Sequence, residues 1–200
     1  MLGPLNDTIH GVISMTWPVV FISVVIMVST RLCYLINNNQ KIVLYKELMM
    51  LIFAIYILCL FQVVTFQDDT AWAGNNFIPF QEILRYNITS RLFWKNVVGN
   101  MLMFLPFGFF VSYYLKVDKV HLPFMLVLVT SLAIEIVQMM IGRVFDVDDI
   151  ILNLIGGALG YLIYKLLKRI GEKLPKFCSS TWFLNALMII ALIGFIVVLM

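Results

Sequence analysis

The chain of 200 residues is 62% hydrophobic and 12% charged, with a mean hydropathy of +0.98, where an ordinary globular domain carries about 25% charged residues. So much apolar surface excludes a soluble fold and intrinsic disorder, and 11 Gly, 6 Pro and 3 Cys exclude collagen-like and disulfide-built scaffolds. The net charge of +3 calls for no nucleic acid, because basic residues beside helix ends have anionic membrane lipid as their ordinary partner.

A helix needs about 20 mostly apolar residues to cross a hydrocarbon core. Six stretches meet or approach that length: residues 8–30, 48–67, 96–115, 120–142, 150–164 and 177–200. The expected fold is therefore all-α, a polytopic transmembrane bundle of six spans forming a single membrane domain over residues 1–200. No small-residue cleavage pattern follows the first stretch, so it reads as a true span. With the N-terminus outside, ten of the 14 Lys and Arg residues fall on the inner side and only Arg85, Arg91, Lys95 and Arg143 stay outside, as the positive-inside rule requires. Cys33 and Cys178 then lie at the inner edge, where no disulfide is expected.

Between the second and third spans, residues 67–95 form an external segment rich in aromatics, including Trp72, Phe77, Phe80 and Trp94. From Phe80 onward, Phe80, Leu84, Ile88 and Leu92 stand apart from Arg85, Arg91 and Lys95, the pattern of an interfacial amphipathic helix.

Ionisable and amide groups within a bilayer mark function by default. On the fourth span Glu135 lies about 9 Å below the outer end at 1.5 Å per residue, and Ser131, Glu135, Gln138 and Gly142 share one helix face. Asn96 and Asn100 open the third span at the same depth. The fifth span is short. Either Lys165 snorkels at its inner end or the helix begins earlier and carries Asp149 and Asp146 toward the lipid boundary. Asp146, Asp149, Asn153, Gly156 and Gly160 form one stripe, in which Gly156 and Gly160 are a small-xxx-small pair that permits close helix approach.

Two readings of the amides stay open: hydrogen bonds between helices, or a binding site. Asp148 and Asp149 each also suit a helix N-cap. Glu135 at its depth must be neutral or paired. Pro106 with Gly108 bends the third span, as packing or to widen a cavity. No cofactor is expected. Asp146 and Asp149 are weak candidates for a divalent cation through oxygen ligands, and no Ser-His-Asp set, HExxH or phosphate-cradling Gly loop is present.

Four ordered blocks resemble the VanZ-like membrane proteins: Asn76-Phe-Ile-Pro-Phe80; Asn96-Val-Val-Gly-Asn100 running into Phe104-Leu-Pro-Phe-Gly108; Glu135-Ile-Val-Gln138; and Gly142-Arg-Val-Phe-Asp-Val-Asp-Asp149 leading to Asn153 and Gly156-Gly-Ala-Leu-Gly160. The resemblance covers residues 48–167 and leaves the spans at 8–30 and 177–200 as flanking additions. It implies bacterial cell-envelope work in the plasma membrane, since the family's founding member is associated with low-level resistance to the glycopeptide teicoplanin. The motif residues carried over are Asn76, Pro79, Phe80, Asn96, Asn100, Pro106, Gly108, Glu135, Gln138, Arg143, Asp146, Asp149, Asn153, Gly156 and Gly160. From the residues themselves, an outward pocket is expected in which Arg143, Arg91 and Lys95 meet carboxylates and amides and hold the headgroup of a lipid or a lipid-linked envelope precursor, altering how a lipoglycopeptide meets the surface. The alternatives are a membrane-face enzyme using Glu135, Asp146 or Asp149 as acid or base, and a transporter, for which no inverted repeat is visible.

Overall fold

The computed structural model describes the backbone of residues 3–66 and 74–199 and, within these, the side chains of residues 17–63, 74–175, 177, 178 and 180–190. Trp72, Asp68 and Asp69 of the segment expected to be external lie outside the described residues. Among the described residues seven α-helices follow in order: α1 Gly3–Asn37, α2 Leu44–Phe66, α3 Gln81–Arg85, α4 Gly99–Leu115, α5 His121–Met140, α6 Val147–Lys173 and α7 Thr181–Leu199. A π-helical turn, Phe93–Val98, leads into α4, and a 3₁₀ turn, Lys176–Ser179, precedes α7.

Five helices are long and apolar enough to cross a membrane: Trp17–Asn37, Leu44–Val63, Phe93–Leu115, His121–Met140 and Val147–Lys173. The sixth expected span falls on α7, Thr181–Leu199, whose side chains are described only as far as Ile190, and the count stands at five among the described residues. The fifth span begins earlier than its clean apolar run, at Val147, and carries Asp148 and Asp149 in its first turn. An acid there is favourable because the first-turn N–H groups lack partners within the helix.

The chain divides into two compact units, residues 1–66 with 171–200, and residues 67–170. In the first, α1 continues past residue 30, which brings Arg31 into α1 opposite Glu47 of α2. The guanidinium donates from Nε at 2.8 Å and from Nη2 at 3.1 Å, one bond to each carboxylate oxygen, a bidentate geometry that suits a planar fork. The Tyr45 N–H at the start of α2 is capped at 2.9 Å by the Asn185 side-chain oxygen from α7.

The second unit is built on α4, α5 and α6. Its core holds Phe104 and Val127, each 1% exposed, with Phe107, Phe110, Ile150, Leu152 and Tyr161 around them. Glycines set the α4–α6 separation. A Cβ placed on Gly156 would lie 2.1 Å from the Met101 carbonyl oxygen, one on Gly160 2.1 Å from that of Leu105, and one on Gly108 2.0 Å from that of Gly157. The two backbones therefore touch where the small-xxx-small pair predicts close approach.

The segment between α2 and α4 departs from the expected amphipathic helix. α3 stops at Arg85, Tyr86 is extended, and Asn87 accepts hydrogen bonds from the Thr89 N–H at 3.1 Å and its hydroxyl at 2.9 Å. Ser90 Oγ then accepts from the Phe93 N–H at 3.1 Å and starts the next helix. The Asn-Ile-Thr-Ser sequence offers the backbone side-chain partners that compete with a continuous helix. Phe80, Leu84, Ile88 and Leu92 nonetheless remain more than half exposed.

Candidate functional site

The site is assembled from the end of α5, the start of α6 and the loop before α3. α5 closes in a Schellman motif: the Gly142 N–H donates to the Met139 carbonyl at 3.2 Å and the Arg143 N–H to the Gln138 carbonyl at 2.9 Å, with Gly142 at φ 85°. Only glycine adopts that conformation without penalty. The reversal sends residues 143–147 back alongside Asn76, where a single parallel bridge forms: the Asn76 N–H donates to the Phe145 carbonyl at 2.8 Å and the Val147 N–H to the Asn76 carbonyl at 3.0 Å.

Side chains complete the stitch. Asn76 Nδ2 donates to Asp146 Oδ1 at 2.8 Å, the Phe145 N–H donates to Asn75 Oδ1 at 3.0 Å, and Phe77 stacks on Phe145 with centroids 5.3 Å apart. Glu135, 1% exposed, accepts the Asp146 N–H through Oε2 at 2.9 Å. Ser131, Glu135 and Gln138 are all buried on one face of α5, as their spacing predicts.

The helix cap is neither of the acids that the sequence nominates. Asp146 caps α6, its Oδ1 accepting the Asp148 N–H at 2.8 Å in the manner of an N-cap residue bonding N2. Asp148, 1% exposed, reaches away from its own helix and accepts three N–H groups at the start of α3, from Phe80, from Glu82 at 2.7 Å and from Ile83 at 3.0 Å. Asp148 is not among the expected site residues because it falls off the Asp149–Asn153–Gly156 stripe. Its signal lies elsewhere: the residues before Gln81 offer no Ser, Thr, Asp or Asn cap, and Phe80 sits at φ 66°, so α3 needs an acceptor from outside.

The remaining candidates separate. Asp149 accepts from Asn100 Nδ2 across the α4–α6 contact. Asn96 instead donates to the Tyr86 hydroxyl at 2.9 Å. Although the two asparagines are four residues apart, the π-helical turn over Phe93–Val98 changes the rotation per residue and sends them to different partners. Asn153 donates to Ser131 Oγ at 2.8 Å, while its own Oδ1 is buried with no hydrogen-bond partner among the described residues. Arg143 is half-buried in the turn after α5. Arg91 is exposed, as is Lys95, and neither is ion-paired to the acidic cluster among the described residues. Pro79 is exposed beside Phe80. Pro106 lies inside α4. The two metal candidates diverge, Asp146 to Asn76 and Asp149 to Asn100, and no group of three His, Cys, Asp or Glu residues among the described residues is placed to hold a metal ion.

Burial pushes the Asp146 carboxyl above the ordinary carboxylate range, and the charges of Asp148 and Glu82 push the same way. The bonds from the Asp148 N–H and the Asn76 amide oppose the shift. Because the folded state then binds a proton more tightly than the unfolded chain, this residue lowers stability as pH rises from the ordinary carboxylate value through the raised one. Asp146→Asn is expected to flatten that part of the pH–stability curve, and thermal unfolding from pH 4 to pH 7 tests it. An unchanged slope would reject the assignment.

A helical membrane protein whose second unit ends in a knot of carboxylates and amides is the class that these features define. The family model VanZ/LLP1 matches residues 49–168, and the chain belongs to that family. It is 36% identical over 75 residues to Protein VanZ of Enterococcus faecium, a match covering 36% of this chain and 46% of that protein, so the similarity spans less than half of the relative's length. No solved structure matches the chain.

Proposed function

We propose that the protein is a multi-pass protein of the bacterial plasma membrane, its N-terminus and its carboxylate–amide cluster facing outward, and that the cluster engages the headgroup of a lipid or lipid-linked envelope precursor. Through that engagement it reduces susceptibility to glycopeptides or lipoglycopeptides such as teicoplanin, the activity implied by the family resemblance. The observation that carries this reading is the meeting of Glu135, Asp146 and Asn76 beside a surface of exposed apolar side chains, Phe77, Ile78, Phe80 and Leu84, each more than half exposed. Such a rim suits the headgroup region of a bilayer, and along the sequence Arg143 is the cation nearest to Asp146. A guanidinium grips phosphate in a bidentate fork, and amides orient sugar or peptide.

Glu135→Gln and Arg143→Ala test this in cells expressing equal amounts of inserted protein. Both are expected to remove protection against teicoplanin, about tenfold or more for loss of a charge-assisted bond in a desolvated site. Protection equal to that of the unaltered chain would defeat the reading.

A second reading, a membrane-face enzyme, is favoured by one specific observation. Burial pushes the Asp146 carboxyl above the ordinary carboxylate range, the direction in which a general acid is tuned. Mass spectra of lipid and wall precursors from expressing cells distinguish the two. A modified precursor supports catalysis, and unmodified precursors with retained protection support binding alone.

A further inference from the structure

At the far end of the second unit from the carboxylate–amide cluster, the turn between α4 and α5 closes against α6. The Tyr161 hydroxyl donates to the Asp118 carbonyl at 2.7 Å, Lys168 Nζ meets Asp118 Oδ1 at 2.8 Å, and Lys165 rests over the Tyr161 ring 5.7 Å from its centroid. Beside this contact lies an open groove of about 510 Å³ lined by Val117, Asp118, Lys119, His121, Leu122 and Met125. Its walls are apolar: Leu122 is 48% and Met125 54% exposed. Its rim is basic. Asp118 is the one acid lining the groove, and Lys168 already neutralises it. Lys119, Lys165 and Lys168 against Asp118 leave the surroundings of the groove net positive. Lys119 has no acidic partner among the described residues.

We infer that this groove is a binding site for an anionic phospholipid, the phosphate held by Lys119 and Lys165 and the first part of an acyl chain lying along Leu122 and Met125. Charge and shape agree on that occupant. An apolar floor continuous with the flank of a membrane span suits hydrocarbon, and lysines at a helix end attract an anionic headgroup. A zwitterionic lipid brings no net charge to the lysine pair. The inference is independent of the outward cluster, since the two sites share no residue and lie at opposite ends of α5.

The test is native mass spectrometry of the full chain in detergent, titrated in parallel with phosphatidylglycerol and phosphatidylcholine of identical acyl chains. The unaltered protein is expected to retain phosphatidylglycerol in preference. Lys119→Glu combined with Lys165→Glu is expected to lower that retention about tenfold or more, while Lys41→Glu, an exposed lysine of the first unit, leaves it unchanged. If the double variant fails to fold, Lys119→Gln alone, at an exposed position, must still reduce retention. Equal retention of the two lipids, or undiminished phosphatidylglycerol retention in the variants, overturns the inference.

Discussion

Asp148→Ala is expected to lower the thermal stability of the protein by on the order of 10 °C, as an unsatisfied-donor cost of about 3 kcal/mol would. The carboxylate accepts the N–H groups of Phe80, Glu82 and Ile83, and with alanine all three lose their partner at once. Buried donors left unpaired cost about 1–3 kcal/mol each, and water admitted as the loop lifts returns part of that. The same carboxylate holds Phe80 at φ 66°, a left-handed conformation costing a side-chain-bearing residue about 1–2 kcal/mol. Asp148→Asn should fall between the two, because it keeps one acceptor oxygen and turns an NH₂ group toward donors. Fluorescence-detected gel filtration of heated, detergent-solubilised samples gives the midpoints. A shift for Asp148→Ala no larger than that for the exposed-pair variant Arg85→Ala, whose ion pair with Glu82 lies at the surface, would refute the distal cap.

The second large effect is expected at the glycines between α4 and α6. Gly156→Ala places a methyl 2.1 Å from the Met101 carbonyl oxygen and 2.8 Å from its carbon, and Gly160→Ala meets the Leu105 oxygen at 2.1 Å and the Phe109 nitrogen at 2.7 Å. These neighbours are backbone atoms, which cannot rotate aside, so the two helices must part. The cost should sit at or above the upper end of the range for overpacking, about 3 kcal/mol. Separation of the helices also strains the Asn100–Asp149 contact, so function and stability should fall together. Gly157→Ala meets only the Val127 side chain, nearest at 2.5 Å, and should be milder. Gly171→Ala has open space around it and lies within α6, so it should stabilise by about 0.4–1 kcal/mol. The yield of monodisperse protein after extraction ranks the four. A Gly156→Ala variant as stable as Gly171→Ala would remove the backbone-contact argument.

The two predictions also separate what the sequence makes legible from what it hides. Gly156 and Gly160 are visible as a pair because helix periodicity puts them on one face, and the face of α5 carrying Ser131, Glu135 and Gln138 is visible for the same reason. Asp148 is not. Its partners lie 65 to 68 residues earlier in the chain, and nothing in the local spacing of α6 singles it out. Asn96 and Asn100 mislead in the opposite direction. Their four-residue spacing assumes α-helical rotation, and the π turn over Phe93–Val98 breaks that assumption. The segment between α2 and α4 misleads because its apolar spacing is helical while Asn87 and Ser90 bind the backbone and break the helix into separate pieces.

By itself, then, the sequence determined that this is a helical membrane protein, roughly where its spans run, and that Ser131, Glu135 and Gln138 share a helix face. These follow from apolar content, span length and a 3.6-residue period, all of which act locally. Only the tertiary structure decided which acid caps which helix, that Asn76 pairs with Asp146, and that Arg91 stays at the surface while Glu135 is enclosed. Hydrogen bonds between distant loops carry no period, and their partners are chosen by how the backbone turns at Gly142 and Phe80 after the helices have packed.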